Sequence, residues 1–371
     1  MRYYIIAGER SGDLHGGNLV KALKKHQPDA VIRGFGGEFM EQAGVELAVH
    51  YSDMAFMGLA ELITNAGKIR RYIRKCKDDI LLYKPDVIIL IDYGGFNLQI
   101  ARFGHKMGIK VFYYIAPKYW AWYQNRVNWL KPYVDRLFVI LPFETEFFKK
   151  FNWEADYVGN PVLDAIKAHQ ADAAFRRKHQ LPQDLPCIAL LPGSRKQELQ
   201  NIIPLMIKVA ERSPNYQFLA SAVGNLDRSL YQGLSDLRNV TLIFEDTYNL
   251  LLNCSAAIVT SGTATLETGL LRVPQIVVYR TSWASYKLAK SMMKVPFISL
   301  INLIAGREAV KEMIQSDANP DKVSKELGRI LDDNSYRQEI LEAYDQIIKT
   351  LDTGSASENT ARLMLKYLNQ E

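Results

Sequence analysis

The sequence predicts two doubly wound α/β domains in tandem. Three observations carry that expectation. At 371 residues the chain exceeds what one core ordinarily organises and suits about two domains of roughly 150 residues each. Short β-branched and aromatic runs alternate with helix-length amphipathic segments, the rhythm of βαβ units and therefore of parallel sheets. The rhythm runs twice, and Val158-Gly159-Asn160-Pro161 supplies turn chemistry between the two series.

In the first series Tyr3 to Ala7, Ala30 to Gly34, Val87 to Ile91, Lys110 to Ile115 and Arg136 to Leu141 read as strands. In the second, Cys187 to Leu191, Gln217 to Ala222, Val240 to Phe244, Ala256 to Thr260 and Gln275 to Tyr279 do so. Beyond Pro320 the pattern is helical, broken at Asp352-Thr353-Gly354-Ser355 before a last amphipathic segment from Glu358 to Leu368. The expected division is therefore 1–160 for an N-terminal domain, 161–345 for a C-terminal domain, and a helical tail over 346–371 that packs back on the first. Ligands of open doubly wound sheets sit beyond the carboxyl ends of the strands, so chemistry is expected from strand-end loops.

Composition narrows the function class. Hydrophobic residues at 48% and charged residues at 23% are those of a folded chain, which removes disordered and fibrous readings. No apolar run approaches the roughly 20 residues of a membrane-spanning helix. The first residues carry no secretory pattern, so a cytoplasmic location is expected. Cys76, Cys187 and Cys254 lie far apart, which supports neither a disulfide framework nor a cysteine zinc site. The formal charge of +6 suits an anionic lipid surface, a phosphorylated substrate or a nucleic acid equally.

The strand-end motifs follow in chain order. Gly8-Glu9-Arg10-Ser11-Gly12-Asp13 is a glycine-rich strand-to-helix turn, without the Gly-Lys-Ser/Thr of a P-loop or the three spaced glycines of a dinucleotide fingerprint. It fits either a tight turn or a loop that contacts substrate. Asp92 directly follows the apolar run Val87 to Ile91, where a buried strand delivers a carboxylate at its crest, and general base is favoured over helix cap. Pro192-Gly193-Ser194-Arg195 gathers backbone amides, a hydroxyl and a guanidinium at a helix start, an arrangement for a diphosphate. Ser261-Gly262-Thr263 offers a second such helix start. Glu267 lies four residues after Thr263 where a capping box needs three, which leaves it open to ribose hydroxyls. No Asp-x-Asp pair and no compact metal-ligand cluster stands out, so no metal or other cofactor is expected. Two segments suit a membrane surface: Met54 to Leu59 running into the basic stretch Lys68 to Lys75, and Trp283 to Phe297 with Lys287, Lys290 and Lys294. Each also reads as an ordinary amphipathic helix.

Taken in order, these residues resemble the lipid-A-disaccharide synthase family, bacterial glycosyltransferases of GT-B fold. The resemblance covers nearly the whole chain and rests on Gly8 to Asp13, Met57-Gly58, Ile91-Asp92 with Phe96-Asn97, Trp120-Ala121-Trp122 with Arg126, Leu141 to Glu144 and Gly159-Asn160-Pro161. It continues through Leu191 to Arg195, Ser261 to Ala264 with Glu267, and Asn302 to Glu308. It implies two Rossmann-like domains facing across a cleft. The implied reaction joins UDP-2,3-diacylglucosamine to 2,3-diacylglucosamine 1-phosphate, with inversion, to a β-1,6 disaccharide 1-phosphate and UDP. By the same resemblance Asp92 takes the hydroxyl proton. Ser194, Arg195, Ser261, Gly262, Thr263, Glu267 and Asn302 lie at the nucleotide, and Ser11, Gly12, Asp13, Met57, Asn97, Trp120 and Arg126 at the acceptor. A homodimer, peripheral contact with the inner membrane of a Gram-negative bacterium and no nucleic-acid partner are implied too. Gly94 stands where the family pattern has proline, and Lys118 where many relatives carry a small residue. The alternatives are another UDP-N-acetylglucosamine-dependent GT-B transferase or epimerase, or a two-domain sugar-binding protein without catalysis.

Overall fold

The computed structural model describes residues 1–54, 66–224 and 226–370. It divides into two compact units, Met1–Pro161 with Thr353–Glu371, and Val162–Asp352. The returning segment begins at Thr353 rather than 346, because the helix Asn334–Leu351 runs unbroken past that point. Met57, expected at the acceptor, lies outside the described residues, as does most of the apolar half of the first candidate membrane segment.

The first unit is built on a seven-stranded parallel sheet: β1 (Arg2–Ala7), β2 (Val31–Gly36), β3 (Glu46–His50), β4 (Val87–Ile91), β5 (Lys110–Tyr114), β6 (Arg136–Val139) and β7 (Asp156–Tyr157). Their spatial order is β3-β2-β1-β4-β5-β6-β7. All five side chains of β4 are buried, as expected of a central strand covered on both faces. The helices that bear on the site are α1 (Arg10–His26), α2 (Glu38–Gln42), α3 (Ala66–Tyr83), α4 (Gly94–Lys106), α5 (Val127–Leu130) and α6 (Pro142–Lys149).

The second unit repeats the plan with six parallel strands: β8 (Cys187–Leu191), β9 (Gln217–Ala222), β10 (Val240–Phe244), β11 (Ala256–Thr260), β12 (Gln275–Tyr279) and β13 (Glu312–Ile314), ordered β10-β9-β8-β11-β12-β13. Its helices include α7 (Pro161–Ala168, whose first residue belongs to the other unit), α8 (Phe175–Lys178), α9 (Lys196–Glu211), α10 (Gln232–Ser235), α11 (Thr247–Leu252), α12 (Thr263–Leu270), α13 (Trp283–Met292), α14 (Leu300–Ala305), α15 (Pro320–Asp332) and α16 (Asn334–Leu351).

The last helix, α17 (Ala356–Asn369), belongs to the first unit, as the tail was expected to. Its Ala361 and Met364 are buried in the same apolar cluster as Leu19 and Leu23 of α1. Asn359 donates to the Val158 carbonyl, and the Tyr367 hydroxyl meets Asp156 at 3.0 Å.

Three strands that sequence reading missed, β3, β7 and β13, are all sheet edges. Edge strands are short and partly wet, so their residues lack the apolar run or clean alternation that marks a strand. Among the described residues no helix is long and apolar enough to cross a membrane.

Candidate active site

In each unit the first strand is central, two strands follow to one side, and the chain then returns to the first strand's other edge. This produces a switch point between β1 and β4 and another between β8 and β11. Connections leave such a point in opposite directions, so the strand-end loops diverge and open a crevice there. The loops that carry Gly8 to Asp13 and Asp92 lie at the first of these points, and those that carry Pro192 to Arg195 and Ser261 to Thr263 at the second.

At the first switch point Ala7 is in register with Ile91, and Ile91 with Tyr114. Residues 8–9, 92–93 and 115–118 therefore emerge side by side. Asp92 and Tyr93 turn sharply out of β4 with φ of 44° and 49°, in the left-handed region that ordinary residues avoid. Partly buried hydrogen bonds hold that turn. The Asp92 carbonyl accepts the Tyr113 hydroxyl at 2.5 Å and Asn97 Nδ2 at 2.8 Å, while its amide donates to the Ile115 carbonyl at 3.2 Å. Gly8 lets the Tyr93 ring close over the loop, since a Cβ on Gly8 would sit 2.3 Å from that ring. Gly94 opens α4, and a Cβ there would lie 3.2 Å from the Pro117 ring.

The Asp92 side chain is half-buried, and burial, reinforced by the nearby Glu9 carboxylate, pushes its pKa up to about 6. Lys118 and the Tyr93 amide pull the other way. A carboxylate at the crest of a rigid sheet with a pKa close to neutrality is suited to accept and release a proton. Neither Glu9 nor Tyr113 stood out in the sequence as a partner of Asp92. Their signal was only that the ends of β1, β4 and β5 would be neighbours.

Other residues expected at the acceptor have internal tasks. Asp13 is fully buried, and its carboxylate accepts the amides of Gly37 (2.7 Å), Phe39 (3.0 Å) and Met40 (3.1 Å). It binds the start of α2 to α1 and has no face left for a sugar. Asn97 is fully buried with Nδ2 on the Ile91 and Asp92 carbonyls, so it acts on the turn that presents Asp92. Gly12 is buried against Ala7 and Ile91, whereas Ser11 is exposed. Trp120 is buried too, donating from Nε1 to Glu144 at 3.0 Å and meeting Phe143 edge-on. Burial lifts the Glu144 carboxyl to about 7, against the opposing hydrogen bonds from the Leu141 amide, Trp120 and the Ile140 amide. Arg126, like Ser11, faces outward: it is exposed, with its guanidinium 4.4 Å from the Tyr123 ring centre and 5.7 Å from that of Trp129, both rings half-exposed. This makes a cation framed by aromatics, suited to a phosphorylated amphiphile.

At the second switch point Leu191 is in register with Val259, so the loop 192–195 lies beside the loop 261–263. Gly193 has φ +109°, and a Cβ there would meet Glu198 Oε2 at 2.5 Å. Glu198 Oε2 accepts the amides of Ser194 (3.1 Å) and Arg195 (3.3 Å), and Oε1 accepts Arg195 Nη1 at 3.2 Å. An anion thus already sits on this helix start, in the position the diphosphate reading requires. The Arg195 side chain is 70% exposed. Across the pair, Gly262 and Thr263 are exposed at the start of α12, and Ser261 Oγ donates to the Ile298 carbonyl at 2.8 Å. Glu267, one turn into α12, is half-buried, accepts the Tyr248 hydroxyl at 3.2 Å, and has its pKa raised by burial against that bond. The Tyr248 ring in turn stands edge-on to His169.

Asn302, expected at the nucleotide, is fully engaged elsewhere. It is buried, Nδ2 donates to the Val310 carbonyl and Glu312 (both 2.9 Å), and Oδ1 accepts the amides of Ala309 (2.8 Å) and Val310 (3.0 Å). An amide side chain has two donors and two acceptor sites, and all four are used. The residue holds the turn from Gly306 to Val310 onto β13.

The family model described as lipid-A-disaccharide synthetase matches residues 3–366. Lipid-A-disaccharide synthase of Syntrophus aciditrophicus is 38% identical over 99% of this chain and 97% of its own, and that of Coxiella burnetii 33% identical over 97% and 96%. Among solved structures, a Staphylococcus aureus MnaA–UDP co-structure superposes with a TM-score of 0.70 at 15% identity, covering 100% of this chain and 97% of that one. A UDP-GlcNAc 2-epimerase from Neisseria meningitidis bound to UDP-GlcNAc gives 0.61 at 14%, with full coverage of both chains. The glycotransferase of kitacinnamycin gives 0.67 at 13%, with 99% of each chain covered. At such identities these likenesses speak for the fold: two parallel α/β sheets in the GT-B manner.

Proposed function

Because this chain belongs to the lipid-A-disaccharide synthetase family, we propose that it transfers 2,3-diacylglucosamine from UDP to the 6-hydroxyl of 2,3-diacylglucosamine 1-phosphate, giving the β-1,6 disaccharide 1-phosphate and UDP. It is a glycosyltransferase, and its substrates are a sugar nucleotide and a lipid-linked sugar. The observation that carries the mechanism is Asp92, fixed at the crest of the first sheet with a pKa of about 6.

Asp92 takes the proton from the acceptor hydroxyl as its oxygen attacks the anomeric carbon from the side opposite UDP. The bond from that carbon to the diphosphate breaks, and its electron pair leaves on UDP, so the configuration inverts. Arg195 and the amides at the start of α9 and α12 meet the charge that accumulates on the diphosphate, with no metal required. The diphosphate displaces the Glu198 carboxylate from the Ser194 and Arg195 amides. Glu267 accepts the ribose hydroxyls, and Arg126 receives the acceptor's phosphate. Asn97 supports Asp92 from behind, whereas Asp13 and Trp120 hold the start of α2 and the start of α6 in the same unit. A homodimer and peripheral attachment to a membrane surface complete the reading, the second because both sugars carry acyl chains that remain in a bilayer.

The test is to incubate the purified chain with UDP-2,3-diacylglucosamine and 2,3-diacylglucosamine 1-phosphate in chelator, following UDP release and the tetraacyl disaccharide by mass spectrometry. Equimolar formation of both is expected. Turnover of unacylated UDP-N-acetylglucosamine alone, or product only after a divalent metal is added, would overturn the assignment or its metal-free mechanism respectively.

A further inference from the structure

One feature of the second unit has no part in the chemistry above. Between Arg280 and Phe297 the chain carries Arg280, Lys287, Lys290 and Lys294 and not a single acidic residue. Within α13, positions 283, 286, 287 and 290 fall in an arc of about 100° at 100° per residue, so Trp283, Tyr286, Lys287 and Lys290 share one face. None of the described side chains of this helix is buried, and Trp283 is 64% exposed, a large apolar area to leave in water.

That face forms one wall of an open groove of about 450 Å³, whose other wall is Glu312 to Asp317. The acids on the far wall are already occupied. Glu312 is bonded to Ser299, Asn302 and the Ile298 amide, and Asp317 pairs with Lys322 at 2.6 Å. Among the described residues no carboxylate pairs with Lys287 or Lys290, whose ammonium groups lie 5.9 and 5.8 Å from the ring centres of Trp283 and Tyr286. Cations beside aromatics on one half-embedded helix face match an anionic bilayer, with the headgroup phosphates at the lysines and the indole at the acyl boundary.

By contrast, α3, which carries the other basic run, buries Cys76, Ile80 and Tyr83 and so spends its apolar face on the core.

We propose that the α13 face and its groove are a docking surface for an anionic phospholipid bilayer, holding the enzyme where its acylated substrates lie. The inference builds on the peripheral-membrane reading above. The experiment is vesicle co-sedimentation of the full chain on phosphatidylcholine with and without phosphatidylglycerol. The variants are K287Q/K290Q, W283S and, for comparison, R70Q/R71Q/R74Q on α3. Wild type is expected to sediment only with the anionic vesicles and to be released by salt. Partitioning is expected to fall roughly fivefold per neutralised lysine, with thermal stability and turnover of short-chain soluble substrates unchanged. Equal sedimentation of wild type and K287Q/K290Q would sink the surface alone. Failure of wild type to bind any vesicle would sink the peripheral reading with it. Competition by dilute inorganic phosphate, or a change of oligomeric mass in W283S, would assign the groove instead to a soluble phosphate or to a second copy of the chain.

Discussion

Replacing Asp92 with asparagine is expected to trade activity for stability, and both magnitudes can be worked from the turn at the end of β4. Asparagine keeps the size and tolerates the left-handed backbone at φ 44°, so the Tyr113 and Asn97 bonds to the carbonyl survive. What goes is the proton acceptor. A positioned general base contributes roughly 10²- to 10⁴-fold, so kcat is expected to fall by about that factor, equivalent to ~3–5 kcal/mol in the barrier.

Stability moves the other way. Lifting the Asp92 pKa from 3.8 to about 6 means the folded state disfavours the ionised carboxylate, by at most ~3 kcal/mol at 1.36 kcal/mol per unit. The penalty is absent below pH 3.8, grows as the pH rises to about 6, and is constant above. The asparagine variant should therefore melt several degrees higher than wild type at pH 8, with the difference shrinking on acidification through that window. Scanning calorimetry at several pH values and single-turnover kinetics on acylated substrates measure the two halves. A variant that retains wild-type kcat, or that melts lower at pH 8, refutes the assignment of Asp92 as a desolvated base.

The charges beside Asp92 give a paired test. In the wild type kcat/KM is expected to fall tenfold per unit below a pH of about 6, as the base is protonated. Glu9→Gln removes a neighbour that raises the pKa and should move this limb to lower pH, whereas Lys118→Met removes one that lowers it and should move the limb up; shifts of the same sign would contradict the geometry. Arg195→Ala should weaken UDP binding about tenfold or more, through loss of a charge-assisted contact of ~1.5–3 kcal/mol, without moving the pH limb; isothermal titration with UDP reads it. Asn302→Ala strands buried groups around Val310 and Glu312 and is expected to cost ~2–4 kcal/mol of stability, measured by denaturant unfolding. A variant as stable as wild type would return Asn302 to a ligand-facing role.

Much of this molecule was legible along the chain. The apolar run Val87 to Ile91 declared a strand buried on both faces, and a carboxylate right after such a strand can only stand at the sheet's crest. Gly193 and Ser261-Gly262-Thr263 marked helix starts with accessible amides, because backbone geometry and small side chains are local properties. The family likeness, carried by short motifs, was readable for the same reason.

What the sequence could not assign was partnership across distance. Asp13 looked like part of a substrate loop, yet it caps α2 more than twenty residues on, and Asn302 is consumed by a turn and an edge strand that periodicity does not reveal. Trp120 and Glu144 satisfy each other in the core, and Tyr113 reaches Asp92 only because β4 and β5 pair in one register. A polar residue's role depends on which unsatisfied group burial brings within hydrogen-bonding reach. Local pattern fixed the strands other than the edge strands β3, β7 and β13, together with the crest and the loops; the order of strands in each sheet decided which side chains meet there and which are left free to act.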